Sequence, residues 1–168
     1  MNEPTTILTG LARELGKRRP FEHFEEEALL NVLRTSSILT NRMARVMRAW
    51  DLTEPGYNIL RILRGSGDAG RCPGEISADM VSAVPDMTRL IDRLEKRALI
   101  ERRRVDTDRR MVRVFITAAG VEVLDKMDEP VTEETKRLLG GLSRTELRTL
   151  SDLLFKLRDG LKGNELGW

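Results

Sequence analysis

Apolar residues recur every three or four positions along most of this chain, and in one short stretch the period drops to two. The longer period lays side chains on one face of a helix, the shorter on one face of a strand. From Phe24 to Trp50, Leu29, Val32, Leu33, Leu39, Met43, Val46 and Met47 make a broad apolar stripe. Glu25, Glu26 and Glu27 crowd the start of that helix and Arg42, Arg45 and Arg48 its end, which complements the macrodipole at both ends. Thr53 offers a cap to a second helix with Tyr57, Leu60 and Leu63 inward, and GSGDAG at 65–70 ends it in a turn. A third helix, roughly 73–82, has Ile76 and Met80 inward. A fourth, from Pro85 to Arg97, carries Met87, Leu90, Ile91 and Leu94 on one face, and Pro85 suits its first turn, where a missing N–H costs nothing. The period then changes. Leu99 to Val105 and Met111 to Thr117, with Val112, Val114 and Ile116 alternating, predict two strands joined through the polar tip VDTDRR into a hairpin.

Helical spacing also frames this central stretch. Ile7, Leu8, Leu11 and Leu15 predict an amphipathic helix or arm over residues 5–19, which Pro20 breaks. After Gly120, Val121, Leu124, Met127, Val131, Leu138 and Leu142 mark another helix, kinked or interrupted near Pro130. Ser143-Arg144-Thr145-Glu146 is a capping box opening a last helix that continues with Leu147, Leu150, Leu154, Leu157 and Leu161 at helical spacing. The terminal helices have more apolar face than a small reading domain can cover, so a symmetric homodimer is expected to bury them. A single chain folding its own ends together is the alternative.

The third and fourth helices read as a helix-turn-helix with the fourth as recognition helix. A helix followed directly by an arginine-rich hairpin can touch double-stranded DNA twice, in a major groove and at the backbone or an adjacent minor groove. The residues TRLIDRLEKRALIERR, then DTDRRMVRVFIT and the AAG that follows, resemble the multiple antibiotic resistance regulator (MarR) family of winged-helix transcription factors. That pattern has a wing built around Asp-x-Arg, matched by Asp108 and Arg110, a strand ending in Thr, and a Gly at the next helix. One position departs from it: Ala98 stands where the family usually has Gly. If the backbone there is left-handed, Ala adds about 1 kcal/mol of strain.

The resemblance implies a mainly α fold with a small β-hairpin wing, a winged helix-turn-helix with N- and C-terminal dimerisation helices. In residue terms, 1–50 would hold N-terminal dimerisation helices, 51–120 the DNA-binding lobe, and 121–168 the C-terminal dimerisation helices. It also implies a regulator, expected to be a repressor, that is released from DNA by a small molecule or other signal.

Composition changes this picture little. The net charge of +2 supports no global electrostatic argument, but residues 71–120 hold eleven Lys/Arg against eight Asp/Glu, and 121–168 hold eight against ten. The positive excess therefore sits where a nucleic-acid footprint needs it. One cysteine, Cys72, excludes an internal disulfide and suits a reducing cytosol, and no apolar run reaches the length of a membrane span. The N-terminus lacks the basic start and apolar core of a secretory signal, so a cytoplasmic protein is expected. One histidine, His23, and one cysteine make a zinc site or a His-based catalytic set implausible, and no phosphate loop or nucleophile elbow is present. Neither enzyme activity nor a cofactor is implied.

Candidate DNA contacts follow from the faces. With the apolar residues inward, Asp86, Thr88, Arg89, Asp92, Arg93 and Lys96 are left for the outer surface of the recognition helix. Thr88 can meet a thymine methyl or base edge, and Arg89 can make a bidentate contact with guanine. Arg93 and Lys96 are placed to hold phosphates. Asp86 would repel DNA if it faced the groove squarely; it can instead accept a nearby N–H, orient an arginine or receive a cytosine amino group. Arg109 and Arg110 sit at or near the hairpin tip. The resemblance makes Arg110 the minor-groove arginine and Asp108 the residue that fixes the hairpin. Arg102, Arg103, Arg104 and Arg113 add charge along the strands, though alternation turns some of them away. The same face could serve a protein partner, a winged-helix interaction module without specific DNA binding.

The family often responds to small aromatic molecules held between the dimer arms and the reading lobe. Here Met43, Met47, Trp50 and Tyr57 are the candidate lining, although such residues at helical spacing more often belong to a core. Cys72 is a candidate redox trigger, but peroxide-sensing members carry theirs near the N-terminus. A lone thiol is usually just a small apolar residue.

Overall fold

The computed structural model describes residues 10–105 and 108–161, and of these the side chains of all but 105 and 108–111. The elements run α1 (Gly10–Glu14), α2 (Phe24–Arg48), α3 (Glu54–Ser66), a 3-10 turn (Gly67–Ala69), α4 (Pro73–Asp79) and α5 (Met87–Lys96). β1 (Ile100–Val105), β2 (Asp108–Ile116), α6 (Ala118–Leu139) and α7 (Arg144–Leu161) follow. The architecture is mainly α with one antiparallel hairpin, β1–β2. No helix among the described residues is long and apolar enough to cross a membrane.

Packing divides the chain into two units, residues 1–42 and 43–168. The first holds α1 and most of α2. Gly16 ends α1 with a left-handed backbone (φ 65°), and the Lys17 N–H returns to the Ala12 carbonyl at 2.9 Å. α1 is thus shorter than the arm expected over 5–19, whose first residues lie outside those described. On α2, Leu29, Leu33 and Ile38 are more than half exposed.

The second unit is assembled around α3, which packs on α4, α5, α6 and β2. Ile59, Leu60 and Leu63 meet Ile76 of α4, Ile91 and Leu94 of α5, and Leu124 and Met127 of α6, all buried. Ile100 and Val114 bring the base of the hairpin into the same core. The first turns of α6 therefore pack into the same core as α3, α4 and α5. By contrast, α7 has no buried side chain among the described residues. Leu150, Leu153, Leu157 and Leu161, spaced as one helical face, are 40–60% exposed.

Local signals set most boundaries. Thr53 Oγ1 accepts the Gly56 N–H at 3.3 Å, and Thr117 Oγ1 accepts the Gly120 N–H at 3.1 Å. Ser143 and Glu146 form the reciprocal capping box, with the Ser143 N–H donating to the Glu146 carboxylate at 2.8 Å and the Glu146 N–H donating to Ser143 Oγ at 3.3 Å. Several boundaries differ from expectation, among them the start of β2, which begins at Asp108 and not at Met111 and so takes in part of the expected hairpin tip. α5 starts at Met87 because Asp86 caps it, so Pro85 precedes the cap and is not in the first turn. α4 stops at Asp79 because Met80 is extended and the Val81 N–H donates to Asn58 Oδ1 at 2.8 Å, not to a carbonyl one turn back. α6 runs unbroken through Pro130 and ends at Leu139, leaving Leu142 outside it. Losing a single N–H bond is tolerated in a helix of this length.

An ion-pair cluster joins α3 to α6. Arg64 grips Asp128 with both terminal nitrogens, at 2.9 and 3.0 Å, and reaches Asp125 at 3.2 Å; Arg61 donates to Tyr57 Oη at 3.0 Å and to Asp128 at 3.5 Å. Hydrogen bonds from Arg64 hold the Asp128 carboxyl below the usual aspartate range, against the opposing effect of partial burial, with the Arg64 and Arg61 charges adding to the lowering. A carboxyl depressed in the folded state contributes stability above its unfolded value, near 4, and that contribution is lost as pH falls through the folded value. Asp128→Asn should therefore lower the unfolding free energy at pH 7 by up to about 1 kcal/mol, since the pair is half exposed. The gap from the unsubstituted chain should narrow as the pH falls below about 4, the unfolded value, a trend that thermal unfolding at a series of pH values would read directly.

Candidate nucleic-acid interface

The recognition helix α5 turns its apolar stripe inward, with Leu90, Ile91 and Leu94 buried and Met87 half-buried against the core. Thr88, Arg89, Arg93 and Lys96 are exposed on the other side, as their spacing requires. Asp86 Oδ1 accepts the Arg89 N–H at 2.9 Å, and its other oxygen lies 3.2 Å from Arg89 Nε. Two of the roles expected for Asp86, accepting a nearby N–H and orienting an arginine, are thus combined. The Arg89 side chain is 85% exposed, so this contact does not hold it down. Among the described residues, no carboxylate pairs with Arg93 or Lys96. Two exposed cations on one helical face, without internal neutralisation, are what a phosphate backbone can use.

The C-terminus of α5 is pinned. Arg97 donates to the Trp50 carbonyl at 2.9 Å and to the Asp51 carbonyl. Ala98 then takes a left-handed backbone (φ 54°), the conformation its place in the family pattern implies, and carries the strain that a Cβ brings there. Its carbonyl accepts the Thr117 hydroxyl at 2.7 Å, which ties the turn before the hairpin to the residue after it.

In the hairpin, Ile100 faces Ile116, Arg102 faces Val114 and Arg103 faces Arg113, with a register slip after Arg104. Arg71 adds a single bridge on the outer side of β2, exchanging N–H to carbonyl bonds with Val114 at 3.0 and 2.8 Å. The strand arginines have different fates. Arg102 pairs with Asp92 and Glu95 of α5. Arg103 lies over the Phe115 ring at 4.6 Å and pairs with Glu101. Arg113 donates to the Ala69 and Gly70 carbonyls at 2.7 and 3.2 Å. Arg104 alone of the four is exposed without an ion pair among the described residues. The hairpin's surplus charge is therefore smaller than its arginine count suggests. The backbone places Asp108 opposite Val105 at the start of β2, with Arg109 and Arg110 next in that strand. Their side chains lie outside the described ones, as do Asp106 and Thr107.

The other candidates fall elsewhere. Met47 and Tyr57 are buried in the core, and Met43 and Trp50 pack against it. Cys72 is half-buried at the start of α4, where its N–H donates to the Glu75 carboxylate at 2.8 Å. His23 is exposed just ahead of α2. Asp92, expected on the outer surface, instead pairs with Arg102 together with Glu95; the three-residue spacing of the two carboxylates on α5 opposite an arginine strand is the signal the sequence offers for that internal pair.

Residues 52–112 match the family described as MarR family. The chain is 33% identical over 122 residues to the transcriptional repressor MprA of Escherichia coli K12, covering 73% of this chain and 69% of that one. It superposes on the crystal structure of a MarR transcription factor from Planctomyces limnophilus with a TM-score of 0.64 at 35% identity, covering 80% of this chain and 97% of that one. A crystal structure of the S. aureus MepR–DNA complex shares the fold, with a TM-score of 0.71 at 20% identity over 83% of this chain and 100% of that one.

Proposed function

This chain belongs to the MarR family and is a DNA-binding transcriptional regulator, not an enzyme, and from that premise we propose that it represses its target genes by binding a near-palindromic operator as a homodimer. The observation that carries the reading is the outer face of α5, where Thr88, Arg89, Arg93 and Lys96 stand exposed and the latter two cations lack a carboxylate partner among the described residues. Thr88 and Arg89 read bases, Arg93 and Lys96 hold phosphates, and Asp86 orients Arg89. In the wing, Arg110 enters a minor groove beside the site and Asp108 holds the hairpin, with Arg109 at the backbone. The functional division is 1–50 and 121–168 for dimerisation, 51–120 for reading DNA. The half-exposed leucine face of α7 supports a second copy as its cover. Two recognition helices then sit about 34 Å apart, one DNA turn.

Release follows from an effector that prefers the DNA-incompetent state; a ligand with equal affinity for both states shifts nothing. A small aromatic molecule near Met43, Met47, Trp50 and Tyr57 would have to open the core around Met47 and Tyr57, which gives it the means to prefer one state.

Selection of bound DNA from a random pool tests recognition and symmetry together: the expected product is a site with two related half-sites one turn apart. Affinity for that site should fall by about 10³–10⁵ between 50 and 200 mM salt, the behaviour of about 6–10 phosphate contacts. Arg110→Ala should weaken binding about 10-fold or more while leaving the unfolding temperature unchanged. Undiminished affinity in that variant would take the wing out of the mechanism, and a pool with no enriched sequence would overturn operator recognition.

A further inference from the structure

The structure assigns Arg102 a positioning role: clamped by two carboxylates of the recognition helix, it sets the angle of the wing and so places the hairpin on DNA. This rests on the proposed wing contact and names the residue that aims it. Arg102 lies on β1 and is 28% exposed on its side chain. Its guanidinium pairs with Asp92 through one terminal nitrogen and with Glu95 through the other, so both arms of the fork are spent on α5. The clamp includes the backbone as well, for the Arg102 N–H donates to the second Glu95 oxygen at 3.1 Å.

Three bonds from one residue to two side chains a helical turn apart fix both the distance and the twist between helix and strand. The rigid planar fork makes this specific to arginine, since a lysine ammonium on a flexible stem can satisfy the charge without fixing the orientation. Nothing else described between the two elements does the same. Arg97 holds α5 to the loop before α3, and Thr117 holds the turn at Ala98, but neither reaches the strand beyond its base. With Asp92 and Glu95 both satisfied, the carboxylates on α5 face Arg102 and not the approaching phosphates.

Affinity for the selected operator, measured in a double-mutant cycle with Arg110, separates aiming from charge and from plain stability. Arg102→Lys should weaken binding about 10-fold in the otherwise unchanged chain, yet only about 3-fold in the Arg110→Ala background, where the wing has lost its minor-groove contact and delivers only the backbone contact of Arg109. Equal losses in both backgrounds would mean that Arg102 acts independently of the wing, and would overturn the inference. The paired substitution Asp92→Asn/Glu95→Gln removes two negative charges near DNA, so a purely electrostatic role predicts tighter binding; the aiming role predicts weaker binding, and tighter binding overturns it. Thermal unfolding of each variant should stay within a few degrees of the parent, since Ile100 and Val114 continue to anchor the hairpin base. If Arg110→Ala alone changes nothing, the wing contact fails and this inference falls with it. If Arg110→Ala weakens binding but the cycle is additive, only the inference falls.

Discussion

Gly120→Ala is expected to destabilise the chain by about 3 kcal/mol, near the upper end of what overpacking costs. Gly120 is in the first turn of α6, and a Cβ there would stand 2.2 Å from the Leu99 carbonyl oxygen and 2.7 Å from Ile116 Cγ1. The oxygen cannot retreat, because it accepts the Thr117 N–H at 3.1 Å, and the Leu99 N–H in turn donates to the Leu94 carbonyl at 3.1 Å. A methyl group would therefore pry the helix from the turn that joins α5 to the hairpin. The better helix propensity of alanine, worth about 1 kcal/mol, offsets only part of this. Gly74→Ala is the control: it too lies in a first helical turn, but nothing stands within 4 Å of the added carbon. Urea unfolding should show a large drop in midpoint for Gly120→Ala and little change for Gly74→Ala. Equal midpoints for the two would contradict the close approach.

Charging the outer face of α7 should have the largest effect on DNA binding. Leu153 and Leu157 are 60% and 51% exposed on a helix with no buried side chain among the described residues, so the fold of one chain does not depend on them. In the proposed dimer they are covered, and by symmetry Leu153→Asp/Leu157→Asp puts four carboxylates into one apolar contact. The double variant should sediment as a folded monomer where the parent sediments as a dimer. Operator affinity should fall by about 10²–10⁴, the gain that linking two half-site contacts supplies. A variant that stays dimeric with parental affinity would rule out this face of α7 as the dimer contact.

The periodicity and the caps at Thr53 and Ser143 are legible in the sequence because each is settled within a few residues. Leu90, Ile91 and Leu94 face inward because three- and four-residue spacing admits no other arrangement on a helix. Thr53 and the Ser143–Glu146 box mark helix starts because orphan N–H groups need a nearby oxygen. At Ala98 the resemblance leaves a left-handed backbone as a condition, and the fold meets it. What the sequence could not decide is where the long cations go. Arg102 reads as one more positive charge until the fold brings it against Asp92 and Glu95, and Arg113 finds its acceptor on Ala69, forty-four residues earlier. Met47 and Tyr57 at helical spacing favour a core over a pocket without deciding between them, and their place in one buried cluster gives them to the core. Backbone hydrogen bonding is set by neighbours along the chain, whereas the partner of a side chain on a flexible stem is set by which elements meet in space.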